Sequence, residues 1–221
     1  MLIIQVPAWL AETNAFVVAE EAGGLAVVVD APPDPEGIGA VLIQNDLSLA
    51  AVLLTHGHVD HTGGSGQLAR ATEATVHVHP DDDFLTLHPM EQVRAMFGMV
   101  PPGVYDVPEK FEALSDGDTV RVAGLGFEVR QTPGHTPGHC CFYLEDQETL
   151  FSGDQLFAGS VGRTDLPRGS WHDLMASMRE RVMTLDDDVR VLPGHGPETT
   201  IGQERRTNPF RNDWESIQDG R

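Results

Sequence analysis

The chain has 221 residues, of which 40% are hydrophobic, and this length suffices for one domain with a substantial core. Against 34 Asp and Glu it carries 14 Lys and Arg, a formal net charge of −20, so we expect no nucleic-acid partner. No apolar run is long enough to cross a bilayer, and the first 16 residues lack the basic leader of a secretory signal. We therefore expect a cytoplasmic protein with no membrane partner.

The first half of the sequence alternates between predicted strands and helices. Apolar strands separated by turns occupy the first 30 residues and end in a β-branched run. A helix is predicted to start at Asp34-Pro35, because apolar residues then recur at helical spacing until residue 45. The next predicted elements are a buried strand at 50–54, a helix at 64–71 and a strand at 75–79.

The second half of the sequence predicts mostly strands. A hairpin turn is expected at Gly124-Leu125-Gly126, between two alternating runs. Ser170 and Asp173 form a capping box, and the apolar stripe from Trp171 to Val182 predicts a helix behind it. The strands are predicted at 119–123, 127–131, 140–144, 149–151 and 189–192.

Two groups of residues are interpreted as structural rather than functional. Cys140 and Cys141 are neighbours, too close for ordinary disulfide geometry, and we expect both to be small buried residues on a strand. The acidic runs 81–83 and 186–188 are expected to lie in solvated turns and helix ends. None of these residues has a part in the predicted mechanism.

Four side chains of metal-ligand type follow the buried strand at 50–54, in a turn flanked by glycines. They stand at positions i, i+2, i+4 and i+5 and are His56, His58, Asp60 and His61. Residues two apart on extended backbone point the same way, so His56 and His58 can face one metal. The turn can direct Asp60 and His61 toward a second metal. The sequence therefore predicts metal binding at the end of this strand.

Three later segments share one local form, a strand end followed by a Gly- or Pro-rich turn that presents one possible ligand. These possible ligands are His135, Asp154 and His195. Glycine in such turns lets the backbone approach an ion closely. Each residue alone could be an ordinary turn residue, but together with the first motif they predict a single metal centre.

The pattern His-x-His-x-Asp-His, followed by distant His, Asp and His, resembles the metallo-β-lactamase superfamily over nearly the whole chain. The resemblance implies an α/β (α+β) fold, the four-layer αββα sandwich, formed as a single domain over residues 1–221. It also implies two metal ions bridged by Asp154. The first would be bound by His56, His58 and His135, and the second by Asp60, His61 and His195.

Within the superfamily, the turn 132–139 and the segment 162–165 are similar to the glyoxalase II and persulfide dioxygenase branch. The region from Pro193 to Phe210 is similar to compact bacterial glyoxalase II-like (hydroxyacylglutathione hydrolase-like) hydrolases. His61 stands where true zinc β-lactamases usually lack a histidine, which disfavours antibiotic hydrolysis. We expect the chain to lack the C-terminal helical region that helps typical glyoxalase II enzymes to hold glutathione, so the use of glutathione stays open.

The resemblance implies a hydrolase of small-molecule thioesters in which a hydroxide shared by two divalent metal ions is the nucleophile. Zinc is the expected metal, with iron or manganese as alternatives, and Asp60 would also orient the attacking hydroxide as the catalytic residue. The alternative function is that of a mononuclear iron persulfide dioxygenase-like enzyme, with His56, His135 and Asp154 as iron ligands.

Three further residues are expected to support the centre without binding metal: His139, Arg163 and Asp165. Arg163 and Asp165 are expected to form an ion pair, although Arg163 and Arg168 are also candidates for binding a substrate carboxylate. The sequence identifies no substrate contact and leaves the oligomeric state open.

An irregular segment is predicted from Pro80 to about residue 114. Its part from residue 84 to residue 114 is rich in methionine and aromatic residues and has two interpretations. It could form an adaptable apolar lid over the substrate, or it could simply pack a surface helix onto the sheet. The residues concerned are Met90, Met96, Phe97, Met99 and Tyr105.

Overall fold

Two six-stranded sheets form the centre of the computed structural model, which describes residues 1–217. In the first sheet the strands follow chain order, with antiparallel pairing up to the third strand and parallel pairing beyond it. Its strands are Leu2–Ala8 (β1), Thr13–Ala19 (β2), Leu25–Val29 (β3), Ser48–Leu53 (β4), Thr75–Val78 (β5) and Glu112–Ala113 (β6).

The remaining strands form the second sheet and one small hairpin. They are Thr119–Val122 (β7), Leu125–Gln131 (β8), Cys140–Leu144 (β9), Thr149–Gly153 (β10), Leu156–Phe157 (β11), Ser160–Val161 (β12), Arg190–Pro193 (β13) and Thr199–Thr200 (β14). The second sheet has the order β14-β13-β10-β9-β8-β7, and β11 pairs only with β12. Its single parallel pair is β10 with β13.

Eight α-helices accompany the sheets in the described part of the chain. They are Glu36–Gln44 (α1), Val59–Thr62 (α2), Ser65–Thr72 (α3), Asp83–Thr86 (α4), Pro89–Phe97 (α5), Trp171–Ser177 (α6), Ile201–Thr207 (α7) and Arg211–Ser216 (α8). Two 3-10 turns, Pro80–Asp82 and Glu145–Gln147, and a π-helix, Met178–Val182, complete the elements. Among residues 1–217 we find no helix with the length and apolarity needed to span a membrane.

Three buried apolar clusters separate four layers. Successive residues of β3 point to opposite faces of the first sheet: Val28 packs toward α1 and α3, whereas Val27 and Val29 pack toward the second sheet. On the second sheet, Phe151 packs between the sheets and Leu150 packs toward α6 and the π-helix. Both sheets are therefore buried on two faces, which explains their nearly continuous apolar strands. This arrangement confirms the predicted αββα sandwich.

Most predicted elements are present, with two corrections. The hairpin turn is shorter than predicted, because Leu125 already begins β8 and only Ala123 and Gly124 turn, with φ of 54° and 77°. Positive φ at both positions is the pattern of a type I′ turn. In addition, the segment predicted to be irregular contains α4 and α5. Only half of the predicted capping box forms: Ser170 Oγ accepts a hydrogen bond from the backbone N–H of Asp173 at the start of α6, but the backbone N–H of Ser170 donates to Gly134 O rather than to Asp173.

The two cysteines are free and fully buried in β9, as predicted. Burial raises the pKa of the Cys140 thiol well above its usual value and raises that of Cys141 to about 12. Both thiols are therefore protonated at neutral pH and behave as small apolar residues.

Candidate metal centre

All seven predicted ligand side chains converge in one cluster at the ends of strands. His56 follows β4, and the next three ligand residues lie at the start of α2 or within it. His135, Asp154 and His195 follow β8, β10 and β13 of the second sheet. Six of the seven residues are buried, and only His195 keeps an appreciably exposed side chain, at 29%. The cluster thus takes side chains from both sheets.

Three histidines form the first group. His58 Nδ1 lies 3.0 Å from His56 Nε2 and 2.8 Å from His135 Nε2. These nitrogens are close enough together to hold one metal ion. We refer to His56, His58 and His135 as the first triad.

Asp60, His61 and His195 form the second group, referred to below as the second triad. Asp60 Oδ2 lies 3.4 Å from His61 Nε2 and 3.3 Å from His195 Nε2, and the two imidazole nitrogens are 3.3 Å apart. This group can also hold a metal ion.

The carboxylate of Asp154 lies between the two triads. Its Oδ1 is 3.4 Å from His61 Nε2, and its Oδ2 is 3.5 Å from His135 Nε2 and 3.6 Å from His195 Nε2. Oδ1 is buried and has no hydrogen-bond partner among residues 1–217. A buried carboxylate oxygen without a donor is costly unless a cation satisfies it, so this atom fits a metal-binding site.

The chain near Asp154 is packed tightly enough to require glycine. A Cβ atom on Gly194 would lie 2.4 Å from Asp154 Oδ1 and 2.7 Å from His61 Cε1. Glycine at position 194 thus permits the turn that presents His195 to approach Asp154 and His61 closely.

Comparison with known proteins identifies the family to which this arrangement belongs. The model of the metallo-beta-lactamase superfamily matches residues 9–195, a span that includes all seven ligand residues. The chain belongs to the metallo-β-lactamase superfamily. Solved structures that resemble this superfamily member include the BLEG-1 B3 metallo-beta-lactamase, with 33% identity, a TM-score of 0.87, and coverage of 95% of this chain and 99% of that one.

Two further solved structures are similar to this chain. A di-iron-bound form of TTHA1623 is 40% identical, with a TM-score of 0.82, and the match covers 94% of this chain and 99% of that one. ETHE1 from Myxococcus xanthus is 28% identical, with a TM-score of 0.76, and covers 100% of this chain and 93% of that one.

Relatives of similar length are found among curated sequences. The uncharacterised protein ML0493 of Mycobacterium leprae is 39% identical, over 95% of this chain and 98% of that protein. The hydroxyacylglutathione hydrolase GloC of Haemophilus influenzae is 34% identical, over 94% of this chain and 96% of that protein.

In this superfamily member, four of the ligand histidines use their outer ring nitrogen in a hydrogen bond that orients the ring. The pairs are His56 Nδ1 with Thr55 Oγ1, His61 Nδ1 with Asp30 Oδ2, His135 Nδ1 with Arg163 O and His195 Nδ1 with Ala11 O, at 3.0, 2.8, 2.7 and 3.1 Å. Carbonyl and carboxylate oxygens only accept, and the Thr55 hydroxyl donates to Asp30. The outer nitrogens therefore carry the protons, and the inner nitrogens present lone pairs to the centre.

The electrostatics of the two triads differ. Burial and the neighbouring histidines lower the pKa of His56 well below its usual value, and they lower that of His58 to about 3. Burial would also lower the pKa of His61, but Asp60, Asp154 and Asp30 outweigh it and raise that pKa to about 10. His56 and His58 are thus neutral nitrogen donors. The second triad lies among carboxylates that attract positive charge, either a proton on His61 or a metal ion.

Asp30 and Thr13 also belong to the centre, although neither was predicted there from the sequence. Asp30 is buried, with a φ of 60°, and accepts hydrogen bonds from Thr55 N and His61 Nδ1, both at 2.8 Å. A charged residue directly after the apolar run of β3 was the available signal. Thr13 Oγ1 donates to Asp60 Oδ2 at 3.1 Å. The two residues are 47 positions apart, so no local sequence pattern predicts this contact.

The prediction that residues 81–83 lie in a solvated turn is wrong for Asp82. Asp81 and Asp83 are exposed as predicted, but Asp82 is completely buried between loops of the metal centre. Backbone N–H groups and a hydroxyl satisfy its carboxylate, and therefore an acidic side chain can be buried there. The residues 186–188 are exposed, as predicted.

His139 lies beside the ligands without facing the centre as they do. Its Nε2 accepts a hydrogen bond from the backbone N–H of Asp154 at 3.1 Å, and its Nδ1 donates to Thr132 Oγ1 at 2.8 Å. Burial lowers the pKa of His139 well below its usual value, in agreement with a neutral ring that accepts at Nε2. With both nitrogens engaged, His139 holds the backbone that presents Asp154.

Arg163 and Asp165 lie beyond His135, on the surface. The guanidinium binds the Asp165 carboxylate with two hydrogen bonds of 2.6 and 2.7 Å, and both side chains are exposed. Arg163 contacts the metal centre only through its carbonyl oxygen, which accepts from His135 Nδ1. Arg168 instead stacks on the ring of Phe84, at 4.0 Å from its centroid.

Exposed apolar residues border the second triad and α2. The ring of Trp9, in the turn after β1, meets Phe97 and Tyr105 edge to face at 5.6 and 6.2 Å. The same turn supplies Ala11 O to His195, and Gln92 of α5 hydrogen-bonds to Gly57 O. Of the segment for which a lid is one of two interpretations, Met96, Phe97 and Met99 are exposed.

Proposed function

We propose that the chain is a dinuclear hydrolase of small-molecule thioesters, similar to glyoxalase II. Superfamily membership and the similarity to GloC support metal-dependent hydrolysis and a thioester substrate. The observation that carries the dinuclear assignment is the complete second triad, in which His61 and His195 flank Asp60 within 3.4 Å. A centre for a single ion has no need of this group.

The ligand assignment follows the two triads. The first metal would be held by His56, His58 and His135, the second by Asp60, His61 and His195, and Asp154 would bridge the two. We propose two divalent ions, zinc in the first place and iron or manganese as alternatives, since the histidine-rich set suits zinc and a similar structure holds two irons. When bound, such ions supply a nucleophile from water near neutral pH and positive charge for a carbonyl oxygen.

The protein residues would position the reactants rather than transfer a proton to the leaving group. Asp60 is the proposed catalytic residue: the Thr13 hydroxyl donates to its carboxylate and holds it in place, so that it can orient the attacking water. A thiolate has a conjugate-acid pKa of about 8.5 and leaves without a strong general acid. We propose that the enzyme acts in the cytoplasm, as one domain over residues 1–221.

One rival is a persulfide dioxygenase-like enzyme with a single iron held by His56, His135 and Asp154. The similarity to ETHE1 supports it at the level of fold and family, and a triad of two histidines and one carboxylate suits iron-dependent oxygenation. The similarity to BLEG-1 makes β-lactam hydrolysis a further activity to test.

Parallel assays on one protein preparation separate these functions. Purified protein of measured metal content is given acyl-thioesters of glutathione and of coenzyme A, a chromogenic β-lactam, and, with an oxygen electrode, glutathione persulfide. We expect about two metal equivalents per chain and thioester hydrolysis without oxygen uptake. One equivalent of iron together with persulfide-dependent oxygen consumption would refute the proposal in favour of the oxygenase.

A further inference from the structure

Asp82 is a buried carboxylate between the two loops that carry the first triad. It ends the 3-10 turn Pro80–Asp82 after β5, and none of its surface is exposed. Burial raises the pKa of Asp82, while hydrogen bonds from Thr136, Gly138 and Gly57 act in the opposite direction. This side chain therefore needs its three donors to be stable in the interior.

Each donor belongs to a residue next to a metal-centre histidine. Asp82 Oδ2 accepts a hydrogen bond from the backbone N–H of Gly57 at 2.7 Å. Gly57 lies between His56 and His58, in the segment 54–58 that follows β4 and is called the β4 loop below. The same oxygen accepts from the hydroxyl of Thr136, the residue after His135, at 2.6 Å. Oδ1 accepts from the N–H of Gly138 at 2.7 Å. One carboxylate thus joins a loop of the first sheet to a turn of the second.

The close contact depends on glycine in the turn. A Cβ atom on Gly138 would lie 2.8 Å from the Cγ atom of Asp82, so a larger residue would displace the carboxylate. The β4 loop and the turn around His135 are consequently held at a short and defined distance.

We propose that Asp82 is a positioning residue that sets the distance between His58 and His135 and thereby tunes the metal affinity of the first triad. The proposal rests on the dinuclear site described above. The histidines of the second triad are oriented by other acceptors: His61 donates to Asp30, and His195 donates to Ala11 O. The effect of Asp82 is therefore specific to one of the two metals.

Asparagine is the informative substitution because it keeps the shape and removes one acceptor. Its amide nitrogen would face a donor, either on the β4 loop or on the turn around His135, and that hydrogen bond would be lost. Asp82→Asn should therefore loosen one of the two loops without creating a cavity.

The test measures zinc affinity at each triad separately by competition with a chromophoric chelator. The His195→Ala background leaves the first triad intact, and the His58→Ala background leaves the second. In the His195→Ala background we expect Asp82→Asn to weaken zinc binding by about 10- to 100-fold, as loss of support for a metal ligand does. In the His58→Ala background the affinity should change by no more than about twofold, as for independent sites.

Glu204→Gln is the matched control. Glu204 is also fully buried and accepts three hydrogen bonds, from Thr199 Oγ1 at 2.6 Å, Gly159 N at 2.9 Å and Asn208 Nδ2 at 2.7 Å. None of these donors lies on a loop of the first triad. Glu204→Gln should lower the denaturant midpoint in the same way as Asp82→Asn, but it should change zinc binding at the first triad by no more than about twofold.

A second pair of variants tests the same hydrogen bond from the donor side, so the proposal can be tested even if Asp82→Asn misfolds. Thr136→Val removes one donor and Thr136→Ser keeps it, so only the valine variant should weaken the first triad. Unchanged affinity at the first triad, or equal losses at both triads, would overturn the proposal. Because no substrate is used, a chain that binds two zinc ions without hydrolysing thioesters would refute the proposed function and leave this inference intact.

Discussion

Asp154 and His139 are neighbours in the candidate metal centre but have different roles. Asp154 directs its carboxylate at histidines of both triads, and one of its oxygens has no hydrogen-bond partner within residues 1–217. His139 instead uses both ring nitrogens in hydrogen bonds, one of them with the backbone of Asp154. In the proposed dinuclear site, removal of Asp154 therefore takes away a ligand, whereas removal of His139 takes away the support for that ligand.

We expect Asp154→Ala to lose activity and to bind both metals more weakly, by at least about 100-fold, because the loss of a ligand exceeds the loss of its support. His139→Ala should still bind two metals at saturation, with affinity reduced by about tenfold. Metal analysis after gel filtration and chelator competition measure both variants. Equal metal loss in the two would show that His139 is itself a ligand.

At the level of single residues, the clustering of the proposed ligands could be predicted from the sequence, and most of their hydrogen-bond partners could not. His56, His58, Asp60 and His61 lie within one turn, so their spacing alone indicated the site. His135 and His195 donate to the backbone carbonyls of Arg163 and Ala11. Every residue has such a carbonyl, so the sequence does not indicate which one accepts. Asp82 was predicted to be solvated because its chain neighbours are, and its donors lie 25 or more residues away.

Among the elements, the β7–β8 hairpin carries an unfavourable residue in its turn. Ala123 has a φ of 54°, a left-handed conformation that costs an L-residue with a Cβ about 1–2 kcal/mol, whereas asparagine tolerates it better. Ala123→Asn creates the preferred Asn-Gly pair and should raise the free energy of unfolding by about 0.5–1 kcal/mol. Ala123→Val should lower it. Urea denaturation of the wild type and the two variants measures these differences in the free energy of unfolding. An asparagine variant no more stable than the wild type would contradict the prediction.

Helix α5 allows a test of the predicted lid. It buries Val93 but leaves Met96 and Phe97 exposed at 46% and 41%, and the ring of Phe97 contacts that of Trp9. If these side chains contact the acyl chain, Phe97→Ala and Met96→Ala should lower kcat/KM for long acyl-thioesters about tenfold more than for short ones. Ile43→Ala removes a still more exposed apolar side chain, on α1, as a control. Variants that keep the wild-type chain-length preference would exclude the lid.

The long strands were easier to predict than the short helices. Strands such as β3 are buried on both faces and therefore show as continuous apolar runs, which the sequence displays directly. Helix α4 has only four residues, too few for a helical period to be visible. The turn at Ala123 was predicted one residue too long because glycines stand on both sides of Leu125.

At the scale of the whole molecule, the metal centre joins the two halves of the sandwich. The β4 loop and α2 extend from the first sheet, whereas His135, Asp154 and His195 extend from the second. Each triad contains residues from both sides, since His135 completes the first and His195 completes the second. A metal ion bound at either triad would therefore link the sheets and stabilise the folded state over the unfolded chain.

We therefore expect metal removal to destabilise the whole fold and not only the site. A ligand present at about 100 times its dissociation constant adds about 2.7 kcal/mol per site, so saturating zinc should raise the free energy of unfolding by about 5 kcal/mol over chelator-treated protein. The comparison needs constant ionic strength, because a net charge of −20 makes the fold sensitive to salt on its own. In Asp154→Ala most of the zinc-dependent increment should vanish, whereas in Ala123→Asn it should persist unchanged. A denaturant midpoint that does not respond to zinc in the wild type would mean that the site does not link the two sheets.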